Sequence, residues 1–114
     1  MHELSVAQNI IDIVRDNVPK EELVNVKSIL IDVGEMSGIV ADSLEFCFDV
    51  VKLETPLQNS KIDIKKIPFI LFCNQCNKET SNSAGIRMCE YCGGFDTRII
   101  SGTEMQIKEV ELNS

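Results

Sequence analysis

Four of the five cysteines fall into two pairs of identical spacing, Cys73-Asn74-Gln75-Cys76 and Cys89-Glu90-Tyr91-Cys92, with twelve residues between the pairs. Two intervening residues let the backbone curl so that both thiolates of a pair point at one centre. Two such turns on facing hairpins supply the tetrahedral sulfur shell that Zn²⁺ prefers. Gly93 directly follows the second pair, where the turn needs a positive φ, and Asn77, which tolerates that conformation, takes the matching place after the first. Four protein ligands close the shell and leave no position for a substrate water, so the expected zinc is structural or regulatory rather than catalytic. A redox dithiol would need one pair within a thioredoxin-like βαβ frame, which the pattern lacks. Iron in the same four-sulfur shell is the alternative occupant. Cys47 stands apart from the pairs and reads as a small buried hydrophobe.

The second chemical feature is the start of the chain. His2 is the sole histidine. A free amine on Met1, the backbone amide nitrogen of His2 and its imidazole can all reach one metal, forming fused five- and six-membered chelate rings. An ionised amide nitrogen is a strong-field donor that suits square-planar Ni²⁺ or Cu²⁺, not tetrahedral zinc. Glu3 offers a fourth donor through its own amide nitrogen or its carboxylate. His2 is too bulky for the usual removal of an initiator methionine, so Met1 is expected to persist with its amine free. Such a site is open on its axial faces and loses its metal on protonation, which suits carrying an ion rather than storing it.

These groups need elements to position them. Leu4, Ala7, Ile11, Val14 and Val18 recur at helical spacing, and Pro19 ends the stripe, which predicts a helix over 4–18. Val24 to Val33 is rich in β-branched residues and stops at Gly34, as a strand does. The helical period returns from Ile39 to about Lys52, with Leu44, Cys47, Phe48 and Val51 on one face, and Asp42 followed by Glu45 resembles a capping box. Lys61 to Ile67 alternates as a strand closed by Pro68. Thr103 to Leu112 alternates with a slip of phase, Met105 and Ile107 on one parity and Val110 and Leu112 on the other, which predicts a β-bulge near Lys108 and Glu109.

The resulting expectation is an α+β fold: a small mixed sheet of about three strands with two helices, plus an inserted zinc-ribbon module. Residues 1–68 with 103–114 form the α/β body, and 69–102 the metal-held insertion. Between the cysteine pairs only Ile86 and Met88 are sizeable apolar residues, too few for a core, so metal must hold that segment.

The net charge of −7, from 11 basic against 18 acidic residues, lies in the body. Residues 69–102 carry three of each sign. Nucleic-acid binding wants a basic patch, and no window supplies one, so neither nucleic acid nor an anionic membrane is an expected partner. The longest purely apolar run, Phe69 to Cys73, is far short of the ~20 residues of a membrane helix. The start of the chain lacks the features of a secretory signal, and an odd cysteine count suits a reducing compartment, so the expected location is the cytoplasm.

Met1-His2-Glu3-Leu4-Ser5 ahead of an amphipathic helix resembles the start of the HypA/HybF hydrogenase nickel-incorporation proteins. Val33-Gly34-Glu35-Met36-Ser37-Gly38-Ile39-Val40 resembles that family's strand exit, Ser43-Leu44-Glu45-Phe46-Cys47-Phe48 its second helix, and Ser101-Gly102-Thr103-Glu104-Met105-Gln106-Ile107 its closing strand. Both cysteine pairs carry the family spacing. Many members have Pro where this chain has Glu90, and some carry further histidines near the zinc module, of which this chain has none.

The resemblance implies a nickel metallochaperone that passes Ni²⁺ to the [NiFe] hydrogenase large-subunit precursor with a GTPase accessory protein, in some organisms also serving urease maturation. It implies His2 as nickel ligand with Glu3 and the Met1 amine beside it, and Cys73, Cys76, Cys89 and Cys92 as ligands of a structural zinc. The alternative reading is a zinc-ribbon protein- or nucleic-acid-binding module. No Ser–His, Cys–His or open metal constellation is available to run an enzyme, because the sole histidine is at the terminus.

Overall fold

The computed structural model describes residues 3–82 and 84–113. In chain order it holds helix α1 (Glu3–Asn17), a 3-10 turn (Lys20–Asn25), strand β1 (Val26–Gly34), helix α2 (Ala41–Val51), and strands β2 (Lys61–Ile67), β3 (Ile70–Cys73), β4 (Lys78–Thr80), β5 (Thr97–Ser101) and β6 (Met105–Leu112). Two three-stranded sheets result, β2-β1-β6 and β4-β3-β5. In the first, the Asn113 N–H donates to the Asn25 carbonyl and the Gly34 N–H to the Glu104 carbonyl, so β6 runs antiparallel to β1. The Glu35 N–H donates to the Ile67 carbonyl, which brings together the C-terminal ends of β1 and β2. That is the parallel pairing a helical crossover through α2 makes possible. The sheet is mixed, and with its two helices and the cysteine-bearing second sheet the fold is the α+β type expected.

The chain divides into two compact units, one of Met1–Asp32, Ile39–Lys65 and Gln106–Ser114, the other of Val33–Gly38 and Lys66–Met105. The first unit has an apolar core of its own. Val6, Ala7, Ile10, Ile11 and Val14 of α1, Leu44 and Phe48 of α2, and Val26, Ile29 and Ile31 of β1 are buried together with Leu57. Ala7, Ile11 and Val14 of the expected α1 stripe are buried, with Val6 and Ile10 widening it, while Leu4 at the first turn is exposed and Val18 beyond the helix is half-buried.

Helix α2 departs from expectation at its start. It begins at Ala41, with Val40 in the N-cap position and no side-chain cap, so Asp42 lies in the first turn and no Asp42–Glu45 capping box forms. Asp42 still places a negative charge at the positive end of the helix dipole. The Val40 N–H is taken up by a side chain from far along the chain: it donates to Glu3 Oε2 at 3.2 Å. In a capping box the glutamate at the third helical position reaches back to the N-cap N–H. Here Glu3 of α1 supplies that carboxylate.

In β6 the half-buried residues are Met105, Ile107 and Val110, so the inward phase changes between 107 and 110, where the sequence pattern slips.

In the second unit, Val33, Phe69 and Leu71 are buried, and Glu35 ties two segments by accepting the Phe69 N–H at 3.3 Å. Gly102 has φ 102°, and a Cβ there would lie 2.7 Å from both Phe69 N and Pro68 O. Backbone cannot swing aside as a side-chain tip can. Gly102→Ala is therefore expected to destabilise this unit by about 2–4 kcal/mol, through overlap added to left-handed strain. Denaturant unfolding followed through the unit's amide signals reads it.

Candidate metal centre

Strands β3 and β4 form an antiparallel hairpin in which Leu71 faces Thr80 and Cys73 faces Lys78. β5 pairs with the other edge of β3, setting Cys73 opposite Thr97. The hairpin's turn carries Cys73 and Cys76. The second pair comes from a loop held mostly by polar links. The Glu90 N–H donates to Thr80 Oγ1 at 3.2 Å, Thr97 Oγ1 donates to the Arg87 carbonyl at 2.8 Å, and Arg87 Nη2 returns a bond to the Thr97 carbonyl at 2.6 Å. Both threonines are buried, and among the described residues no buried side-chain nitrogen or oxygen lacks a partner. Asn82 accepts from the Ile86 N–H at 2.9 Å and donates to the Ile86 carbonyl, closing the loop between the pairs.

The two cysteine turns are built alike. Asn77 donates to the Cys73 carbonyl at 2.8 Å and has φ 56°; Gly93 donates to the Cys89 carbonyl at 2.9 Å and has φ 71°. Both positions take the left-handed conformation that their residue types favour. Each leading sulfur also accepts a backbone N–H, Cys73 Sγ from Cys76 at 3.4 Å and Cys89 Sγ from Tyr91 at 3.3 Å. The four sulfurs of Cys73, Cys76, Cys89 and Cys92 all lie within 4.8 Å of one another. Cys73 Sγ is 3.7 Å from Cys92 Sγ and Cys89 Sγ is 3.9 Å from Cys76 Sγ. A tetrahedron with metal–sulfur bonds of about 2.3 Å has edges of about 3.8 Å, so these separations fit a four-thiolate shell.

The protein holds the thiols unequally. Backbone N–H groups of Cys92 and Tyr91 favour the Cys89 thiolate and, against the opposing effect of burial, bring its pKa down from 9.0 to about 7. Hydrogen bonding to Cys92, with burial adding to it, pushes Cys76 up to about 12. Cys89 is the first of this pair to offer a thiolate, and a metal must displace the proton from Cys76.

Gln75, which the spacing pattern does not mark, sets its Oε1 3.7 Å from Cys92 Sγ. Cys47 lies on α2, outside the cluster, and is half-buried rather than buried. Met1 and His2 lie outside the described residues. Glu3 opens α1, half-buried, with its carboxylate on the Val40 N–H. Among the described residues, the four cysteines are the one group of three or more histidine, cysteine or acidic side chains placed to hold a metal ion. No helix among them is long and apolar enough to cross a membrane.

Comparison with known proteins agrees over nearly the whole chain. Residues 1–112 match the family described as HypA, "Hydrogenase/urease nickel incorporation, metallochaperone". The hydrogenase maturation factor HypA of Trichodesmium erythraeum is 37% identical over 112 residues, covering 98% of this chain and 96% of the relative. That of Desulfatibacillum aliphaticivorans is 35% identical over 113 residues, covering 98% and 87%. The solution structure of the Ni metallochaperone HypA from Helicobacter pylori shares the fold, with a TM-score of 0.69 at 23% identity over 98% of this chain and 97% of that one. A second solution structure of a HypA protein gives a TM-score of 0.71 at 23% identity, covering 99% and 97%. The chain belongs to the HypA family of hydrogenase and urease nickel-incorporation metallochaperones, maturation factors rather than enzymes.

Proposed function

We propose that this protein binds Ni²⁺ at its N-terminus and surrenders it to the [NiFe] hydrogenase large-subunit precursor in the cytoplasm. It would work with a GTPase accessory protein and, where urease is made, with the urease maturation proteins. The observation that carries the reading is the extent of the family match, which begins at residue 1 and so takes in Met1, His2 and Glu3. His2 supplies imidazole and amide nitrogens, Met1 its amine, and Glu3 the remaining donor. The bond from Val40 holds Glu3 at the head of α2, so the third residue of the set has a fixed support. Titration of tag-free protein with Ni²⁺, followed by visible absorption, tests the reading. A yellow, diamagnetic, equimolar complex is expected, as low-spin square-planar nickel gives; a green, paramagnetic species rules out the amide-bound chelate.

The four-cysteine shell is proposed to hold a structural Zn²⁺, with 69–102 as the zinc-binding module and 1–68 with 103–114 as the nickel-binding body. The near-tetrahedral sulfur separations and the backbone N–H groups aimed at Cys73 and Cys89 support this reading. Cys47 is not a ligand. Metal analysis of Cys47→Ala should find one zinc per chain, as in the parent; a lower ratio shows that the shell is wrongly drawn, and iron in place of zinc in both proteins overturns the assignment of the metal.

A further inference from the structure

Helix α2 is apolar on two opposite sides. Its buried residues Leu44 and Phe48 recur at helical spacing and face the core. At 100° per residue, Phe46 and Val50 lie on the far side, together with Leu53 in the turn that follows. A surface helix should be polar there. Instead Phe46 is 70% exposed, Val50 50% and Leu53 61%. A shallow groove of ≈ 310 Å³ runs beside this ridge, lined by Val50, Leu53, Glu54 and Gln8 of α1. Contiguous exposed apolar surface with a polar border is the mark of an interaction site.

The border is acidic. The same helical spacing puts Glu45 and Asp49 along one side of the ridge, with Glu54 in the groove on the other. Two cations stand by this border, Lys52, already paired with Asp49 at 3.1 Å and packed over the Phe48 ring, and Lys61, which lines a pocket with Glu45 and Asp49, so the three carboxylates leave the border net negative by one charge. This charge decides the occupant. A second copy meeting through a two-fold axis would bring like rim against like rim, on chains that each carry −7. Anionic lipid is repelled for the same reason.

We propose that the Phe46–Val50–Leu53 ridge of α2 docks a partner protein presenting an apolar helix or ridge bordered by Lys and Arg. Phe46 is the anchor, and the acidic border sets the partner's orientation and speeds encounter. The proposal does not depend on the terminal nickel site, and its test needs no nickel.

The test uses the full zinc-loaded chain, ¹⁵N-labelled, titrated with three synthetic peptides. One is an amphipathic helix with Leu at i, i+4 and i+7 flanked by Lys; the second has Glu in place of each Lys; the third scrambles the first. The Lys-flanked helix should give saturating shifts confined to 42–54 and Gln8, weakened about thirtyfold or more by Phe46→Ser or by Leu53→Ser. Glu45→Lys with Asp49→Lys should weaken it as well, and raised salt should slow association. Both serine variants change exposed side chains, and an unchanged circular dichroism spectrum checks their fold. Equal binding of the Glu-flanked or scrambled peptide overturns the charge argument. Shifts elsewhere on the molecule overturn the site. A dimer in sedimentation that Phe46→Ser abolishes makes a second copy the occupant and overturns the proposal, as does Phe46-dependent binding to phosphatidylglycerol vesicles.

Discussion

His2→Ala is expected to abolish specific nickel binding while fold and zinc content stay as they are. The proposed chelate takes three of its donors from the first two residues, so losing the imidazole removes a ligand and also the ring that anchors the ionised amide. Affinity should fall by more than about a hundredfold, beyond what loss of a supporting outer-shell partner costs. An uncleaved N-terminal extension should do nearly the same with His2 present, because it turns the amine into an ordinary amide. Acid should act likewise. Nickel needs every donor deprotonated, and an ordinary imidazole takes up its proton near pH about 6.5, so binding is present above that point and lost as pH falls through about 6. Isothermal titration of the parent, the variant and the extended chain at several pH values decides the matter. Extended protein that binds as tightly as the parent removes the amine from the site, and undiminished binding by His2→Ala removes the site altogether.

The second large effect concerns the sulfur shell. The double variant Cys73→Ser, Cys76→Ser should lose its zinc and with it the folded cysteine turns, while the first unit keeps its structure. The first unit has its own buried set from α1, α2 and β1. In the second unit the buried apolar residues are few, and two of its buried residues are themselves the ligands Cys73 and Cys89. Binding of structural zinc supplies roughly 10–16 kcal/mol in small metal-held domains, far more than the polar links of Thr80, Thr97 and Asn82 replace. Amide spectra should show the signals of the first unit in place and those of 73–97 collapsed to unstructured positions. Global unfolding would show that the units are not energetically separate, and an unchanged spectrum would show that metal does not hold the turns.

Much of this was legible in the sequence because it depends on local rules. The α1 stripe, the β2 alternation and the phase slip of β6 follow from periodicity, and the turn conformations at Asn77 and Gly93 follow from residue type. Positions set by distant contacts were not legible. The Asp42–Glu45 pair has the spacing of a capping box, yet the helix starts two residues sooner and its N-cap N–H is served by Glu3, 37 residues away. Cys47 sits on the edge of the α2 stripe, so its half-exposure depends on how the helix is rotated, which periodicity leaves loose by a residue. The 3-10 turn at Lys20–Asn25 shortens the strand expected from Val24, since Pro19 and the 3-10 hydrogen bond from Glu22 to its carbonyl set the chain turning first. Gln75 carries no sequence signal of its approach to Cys92, because that depends on where the second turn folds.

The glycines of this chain are held by two different demands, and they should drift differently under random substitution. Gly93 is constrained by its dihedral alone, since a Cβ there meets nothing within 4 Å. The other cysteine turn already fills the equivalent place with Asn77. A saturation library selected for zinc retention should therefore admit Asn at 93. Position 102 is constrained by volume as well: its missing methyl is where the backbone of Phe69 runs. No side chain relieves that, because every alternative to glycine begins with the same carbon. In the library, tolerance at 93 and intolerance at 102 would separate a position chosen for how the chain bends from one chosen for what it leaves empty.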